Sequence, residues 1–220
     1  QETPAFRQIQ HKAEIVRTPI VEILRHHRKA LLIAIGLKVS EIAVALITSV
    51  FVISYATATL HMPRADVLNS VLVAAVVALF SIPCFGWLSD RVGRKRMFYA
   101  SCIFTMLFAF PLFWLIQTRN PAIVIVAIVI TTTFGKDVMF GVGAPWYSEL
   151  FPANTRYSGA SLGFQVGAAL SGGLTPVIAT ALVAWSGGAT WAVSLYLILC
   201  AGITLTAAIA APETAQKAII

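Results

Sequence analysis

Of the 220 residues, 58% are hydrophobic and only 11% are charged, with a mean hydropathy of +0.83, far too apolar for a soluble domain, in which roughly a quarter of residues are charged. The formal net charge of +7 does not point to nucleic acid, because the sixteen Lys and Arg residues sit mainly in short segments beside apolar runs rather than along one exposed face. Composition therefore describes an integral membrane protein embedded in a lipid bilayer and sets a nucleic-acid partner aside.

Residues 1–29 hold Arg7, Lys12, Arg17, Arg25, Arg28 and Lys29 with Glu2, Glu14 and Glu22, and the apolar Ile15, Val16, Val21 and Leu24 are loosely spaced among them. This pattern predicts a cytoplasmic, partly helical segment along the membrane surface, either simply solvated or holding anionic lipid. Six apolar stretches follow at about 30–60, 67–88, 97–116, 122–146, 159–183 and 190–211, before a short tail at 212–220. About 20 apolar residues cross roughly 30 Å of hydrocarbon as a helix, so each stretch is long enough to span. The expected fold class is all-α transmembrane, a six-helix bundle.

The first span is interrupted by Lys38 and Glu41 and ends at the turn His61 to Arg64. The second and third contain Pro83 and Pro111, which membrane helices tolerate. The fourth carries Lys136 and Asp137. In the fifth, Gly159, Gly163 and Gly167 recur four residues apart, which places them on one helix face where another helix can approach closely. Cys84, Cys102 and Cys200 all fall within apolar runs and read as small hydrophobic fillers.

Between the second and third spans lies Gly86-W-L-S-D-R-V-G-R-K-R, ending at Arg96, which carries four Lys and Arg residues and is expected to form a short loop. Counted by loop, one side of the membrane holds twelve Lys and Arg residues and the other holds two. Basic loops stay on the cytoplasmic side, so both ends of this segment are expected there. Within the loop, Gly86 allows close helix approach, Gly93 permits a turn, and Asp90 can accept from backbone N–H groups at the start of a neighbouring helix. Arg91 and Arg94 can pair with carboxylates of adjacent loops such as Glu149, which would make a breakable cytoplasmic latch.

The loop resembles the signature between helices two and three, repeated between helices eight and nine, of major facilitator superfamily transporters. Three further stretches are similar to the metabolite:proton symporter branch, which carries shikimate, citrate, 2-oxoglutarate and proline or betaine: Glu2-Thr-Pro-x-Phe6, Tyr147-Ser-Glu-Leu-Phe-Pro152 with Arg156-Tyr-Ser-Gly159, and Pro212-Glu-Thr214. The resemblance covers essentially the whole chain. It implies that the chain is the C-terminal half of a twelve-helix carrier, helices seven to twelve, in the inner membrane. The partner it implies is an N-terminal six-helix bundle of the same carrier, with half of the substrate cavity. The gating residues it implies are Gly86, Asp90, Arg91, Gly93, Arg94, Glu149 and Arg156.

A charge in hydrocarbon is costly and normally faces a cavity or a partner, so Lys38, Glu41, Lys136 and Asp137 are the leading candidates for substrate and proton binding. Lys38 and Glu41 are three residues apart and can pair on one face, although Lys38 can also snorkel to the headgroups. Lys136 and Asp137 diverge by about 100° around a regular helix and are expected to serve different directions, one the cavity and the other a neighbouring helix, with a mutual structural pair as the alternative. Tyr55, Gln165, Phe140 and Tyr147 are further candidates for a mixed polar and aromatic pocket, although aromatic residues in spans commonly pack or anchor at the interface.

A cavity lysine can hold the carboxylate of a small organic acid, and a carboxyl buried in low dielectric takes up a proton more readily than one in water. The expected function is proton-coupled symport of a small organic acid by alternating access. An osmolyte symporter, a passive facilitator and a non-transporting half-carrier or scaffold are the alternatives. An enzyme is not expected. All four histidines, His11, His26, His27 and His61, lie outside the spans, there is no H-E-x-x-H or G-x-S-x-G pattern, and neither a cofactor nor a metal is implied.

Overall fold

In lipid a backbone has no water to bond with, so each apolar run satisfies its own N–H and C=O groups by coiling. The computed structural model describes residues 19–214, and the Glu2 to Phe6 stretch, Arg7, Lys12, Glu14, Ile15, Val16, Arg17 and Lys217 lie outside the described residues. A short helix α1 (Pro19–His26) buries Ile23 and leaves Ile20, Val21 and Leu24 exposed. Six helices long and apolar enough to cross a membrane follow among the described residues: α2 (Arg28–Ala58), α3 (Arg64–Val92), α4 (Arg94–Gln117), α5 (Pro121–Glu149), α6 (Arg156–Trp185) and α7 (Trp191–Ala210). The protein is an all-helical, multi-pass membrane protein.

The stretch Gly86 to Arg96, expected as a loop, is helical except at Gly93. Gly93 has φ 103° and ψ 139°, a conformation that breaks α3 from α4 in one residue and that a side chain would strain. The basic residues therefore project from two abutting helix ends.

Helix α2 packs against α6 and α7, α7 against α4, α4 against α5, and α5 against α3. Helices α2 and α5 are the most buried spans, and α3 and α6 the least. The apolar interior falls into two clusters. One, with Leu37, Phe98, Cys102, Val138 and Trp146, lies toward the Gly93 end, and the other, with Ala43, Phe51, Ala109, Phe113, Ile128 and Leu197, lies toward the opposite end. Between them on α2, α4, α5 and α7 come Lys38, Ser40, Glu41, Thr105, Lys136, Asp137 and Thr204, a polar layer midway along the bundle.

The glycines of α6 form the seam with α2. A methyl group built at Gly163 would lie 2.5 Å from Ala34 Cβ, and one at Gly167 would lie 2.8 Å from Lys38 Cβ and 3.0 Å from the Ile35 carbonyl oxygen. Gly159 instead makes room for the Phe151 ring. Gly141 on α5 meets the Ile82 carbonyl of α3 in the same way, at 2.5 Å. Gly173 faces open space.

Gly163→Ala is therefore expected to lower the thermal unfolding midpoint of the detergent-purified protein, by the equivalent of about 1–3 kcal/mol of overpacking. Gly173→Ala is expected to leave it unchanged or raise it slightly, since alanine is the better helix former by about 1 kcal/mol. Equal midpoints for the two variants would contradict the seam.

Candidate functional site

Two ion pairs occupy the polar layer. Lys38 Nζ donates to Glu41 Oε1 at 2.5 Å, with the two side chains only 1% and 3% exposed. The i, i+3 spacing on α2 sets this pair, and Lys38 turns inward rather than snorkelling to an end of the helix. Its ammonium lies 3.7 Å from the ring centre of Phe164 on α6, and 5.4 Å and 6.0 Å from those of Phe140 and Tyr147 on α5. Glu41 keeps Oε2 buried without a hydrogen-bond partner, and the buried Tyr147 hydroxyl is likewise unpartnered.

The second pair is Lys136 Nζ with Asp137 Oδ1 at 2.7 Å. Neighbours on a regular helix point apart, but the backbone here winds as a π turn over Thr133–Asp137. Asp137 is fully buried and its Oδ2 also accepts from Ser81 Oγ of α3 at 2.5 Å. Lys136 is 25% exposed at its side chain and lines a cleft between α2, α3 and α5. Asp137 thus faces Ser81 of α3 and Lys136 the cleft, while the two side chains still bridge.

The cleft encloses about 150 Å³ and is lined by Ala45, Thr48, Ser49, Val71, Ala74, Ala75, Ile128, Thr132 and Lys136. Ligand pockets are commonly at least about 300 Å³, so the cleft is smaller than such a pocket. A second π turn, Ile47–Phe51 on α2, brings Thr48 and Ser49 to this cleft. Wide turns loosen the backbone ladder, and hydroxyls close the gaps: Ser101 Oγ donates to the Phe134 carbonyl at 2.6 Å, and Ser49 Oγ to the Ala45 carbonyl at 2.6 Å.

Two sequence candidates lie elsewhere. Tyr55 is fourteen residues beyond Glu41, about 21 Å along α2, where it stacks on Phe51 and accepts from Gln117 Nε2 at 3.4 Å. Gln165 is exposed on α6, about 100° around the helix from its neighbour Phe164. Phe164 was not singled out by sequence, because an aromatic residue in an apolar span carries no signal that separates a cation contact from packing.

At the Gly93 junction, Arg94 Nη1 pairs with Glu149 Oε1 at 2.8 Å, and Arg94 Nη2 reaches Asp90 Oδ1 at 3.5 Å. The carboxylate that caps α4 is Glu213 and not Asp90. Its oxygens accept from the Arg94 and Lys95 backbone N–H groups at 3.2 Å and 3.1 Å, whereas Asp90 stays on the exposed last turn of α3. The strand of chain after α7 is held by Lys95 Nζ, which donates to the Ile209 and Ala211 carbonyls, and by Trp146 Nε1, which donates to the Pro212 carbonyl at 3.0 Å. Thr214 Oγ1 donates to Glu149. Arg91 lies over the Trp87 ring at 4.0 Å, Gly86 sits 3.4 Å from the Gly141 carbonyl by its missing methyl, and Arg156 opens α6 with its Nε buried and unpartnered.

The family model described as "Sugar (and other) transporter" matches residues 3–220. The chain is 34% identical over 200 residues to the shikimate transporter of Escherichia coli (strain K12), covering 90% of this chain and 46% of that protein. It is 30% identical over 226 residues to a glycine betaine/proline/ectoine/pipecolic acid transporter of Dickeya dadantii (strain 3937), covering 99% of this chain and 44% of that one. To the citrate-proton symporter of Klebsiella pneumoniae it is 28% identical over 139 residues, 63% of this chain and 31% of the relative. The chain spans about half the length of these first two relatives. No solved structure matches it.

Glu213→Ala is expected to uncap α4, speeding hydrogen exchange at the amides of residues 94–97 by about fivefold, as a lost cap worth about 1 kcal/mol implies. Amides at the far end of α4, residues 113–117, should keep their rates. Unchanged exchange at 94–97 would show that the carboxylate does not hold that helix end.

Proposed function

The chain belongs to the sugar (and other) transporter family of the major facilitator superfamily, a family of transporters and not of enzymes, and we propose that it is the C-terminal half of a proton-coupled symporter for a small organic acid. The observation that carries this reading is the polar layer. A lysine open to a cleft and a buried carboxylate with a spare oxygen share it midway through the bundle. Charged groups kept at such depth mark ion and substrate paths.

Each group has a role that its surroundings fit. Lys136 anchors the substrate carboxylate, because it is the charged side chain of the layer that reaches a cleft. Asp137 holds the Lys136 ammonium in place until the substrate arrives and then retains its Ser81 donor. Glu41 takes the proton at Oε2, the oxygen with no other partner, while Oε1 remains bonded to Lys38. Carriers of this architecture bind substrate near the midplane and rock one six-helix bundle against the other. An N-terminal six-helix bundle supplies the facing wall of the cleft. The Gly93 junction, with Arg94, Glu149 and Glu213, is the latch that closes one end. By the twelve-to-two distribution of Lys and Arg, that end faces the cytoplasm of an inner membrane, with both termini of the segment on the same side.

An osmolyte such as betaine is the second reading, favoured by the 30% identity to the glycine betaine/proline/ectoine/pipecolic acid transporter. Uptake by cells expressing the intact protein separates the two. Radiolabelled shikimate, citrate, 2-oxoglutarate and betaine are offered at two external pH values, with and without a protonophore. One organic acid is expected to enter faster at the more acid pH and to stop with the protonophore. Glu41→Gln is expected to remove at least about tenfold of that proton-driven component, as loss of a positioned proton acceptor does. If Glu41→Gln and Asp137→Asn together left pH-driven uptake intact, the proton assignment would be wrong.

A further inference from the structure

Lys38 has no opening to the cleft that Lys136 lines. Its ammonium is enclosed by one carboxylate and three aromatic rings, at 2.5 Å from Glu41 and 3.7, 5.4 and 6.0 Å from the centres of Phe164, Phe140 and Tyr147. A ring face attracts a cation within about 6 Å of its centre, and several rings around one point form the kind of cage that recognises quaternary ammonium ligands. The carboxylate adds the matching charge. This is a complete site for an ammonium head group, and the chain's own side chain fills it.

We infer that Lys38 is a specificity residue. By occupying an aromatic box for cationic head groups with its own ammonium, it bars ammonium-bearing zwitterions and leaves carboxylates as the accepted class. The inference rests on the reading of the chain as half of an organic-acid carrier and narrows the substrate class that its polar layer admits.

Three features keep the lysine where it is. The stem is pressed against α6, where the Lys38 Cβ fits only because residue 167 is glycine. The pair with Glu41 would leave a bare buried carboxylate if Lys38 swung away. The rings come from two helices, α5 and α6, so the box exists only where both pack on α2. Phe140, 46% exposed, is the most exposed of the three rings and so the wall that a ligand would have to pass once the lysine is shortened.

Shortening Lys38 to alanine removes the ammonium and the stem while Glu41 and the rings remain. A small quaternary ammonium then restores both the volume and the charge. The test uses the intact protein, purified in detergent, with tetramethylammonium chloride as the probe and sodium chloride at equal ionic strength as the control. Lys38→Ala is expected to bind the probe saturably, at least about tenfold more tightly than wild type, the order that one desolvated cation–π contact supplies. Binding should also raise the variant's unfolding midpoint. Lys38→Ala with Phe164→Ala is expected to lose the gain, and Lys38→Arg to show none.

A second measurement needs no variant. In cells expressing wild type, excess betaine or tetramethylammonium is expected to leave organic-acid uptake unchanged. Competition by either would overturn the inference, as would a folded Lys38→Ala protein that binds no better than wild type while wild type carries an organic acid. If wild type carried no organic acid but Lys38→Ala gained the probe, the box would stand and the carrier reading would fall.

Discussion

Everything in this bundle is arranged around keeping four charges satisfied at the depth where water is scarcest. Lys38, Glu41, Lys136 and Asp137 sum to zero, and each is within reach of an opposite charge. Neutrality alone is not enough, because removing one partner of a buried pair costs roughly 3–5 kcal/mol even in soluble proteins. The layer therefore also recruits neutral groups: three rings for Lys38, a serine for Asp137, and hydroxyls for the carbonyls that the wide turn exposes. The two apolar clusters on either side exclude competing partners and hold the layer to one depth.

The backbone bends to serve these charges. A regular α-helix cannot bring adjacent side chains such as Lys136 and Asp137 together, and the π turn at Thr133–Asp137 lies where that is required. The same bulge needs slack from its neighbours. Gly135 within it leaves room for Thr105 and Val44, since a methyl group there would come within 3.0 Å of the threonine hydroxyl. On the other side of α2, Gly167 makes the room in which Lys38 starts its path to the rings. Glycine spacing and intramembrane charge, which look like separate features of the sequence, belong to one packing problem.

What was legible in the sequence follows from the solvent. Hydrocarbon penalises charge and exposed backbone so heavily that six spans, the deep polar positions and the glycine face could be read from residue type and period alone. The Lys38–Glu41 pair was legible because three-residue spacing on a regular helix is a fixed geometry. Features that depend on departures from regularity were not. The π turns gave no sequence signal, so the bridge between Lys136 and Asp137 appeared only as an alternative to divergence. Tyr55 was grouped with the site by type, although its distance along α2 places it at the other end of the bundle. The single-residue junction at Gly93 looked like an eleven-residue loop because basic residues read as loop, whereas here they decorate two helix ends. The cap on α4 comes from Glu213, more than a hundred residues away in the chain, and no local pattern announces a partner at that range.

The last turn of α5 joins the surroundings of Lys38 to the Gly93 junction. Tyr147 faces the Lys38 ammonium, its neighbour Trp146 donates to the Pro212 carbonyl, and Glu149, two residues on, pairs with Arg94 and accepts from Thr214. These residues lie within about 5 Å along one helix axis, so they move as a piece. Trp146 is wedged edge-on against Phe98 of α4 with ring centres 4.9 Å apart, and the Tyr147 ring lies against the position where Gly143 lacks a side chain. One turn of helix therefore carries both the ring over Lys38 and the contacts at the Gly93 junction. Coupling of this kind requires only one stiff turn with partners on two helices and on the segment after α7. It links the charge layer to the Gly93 junction through a single turn of helix.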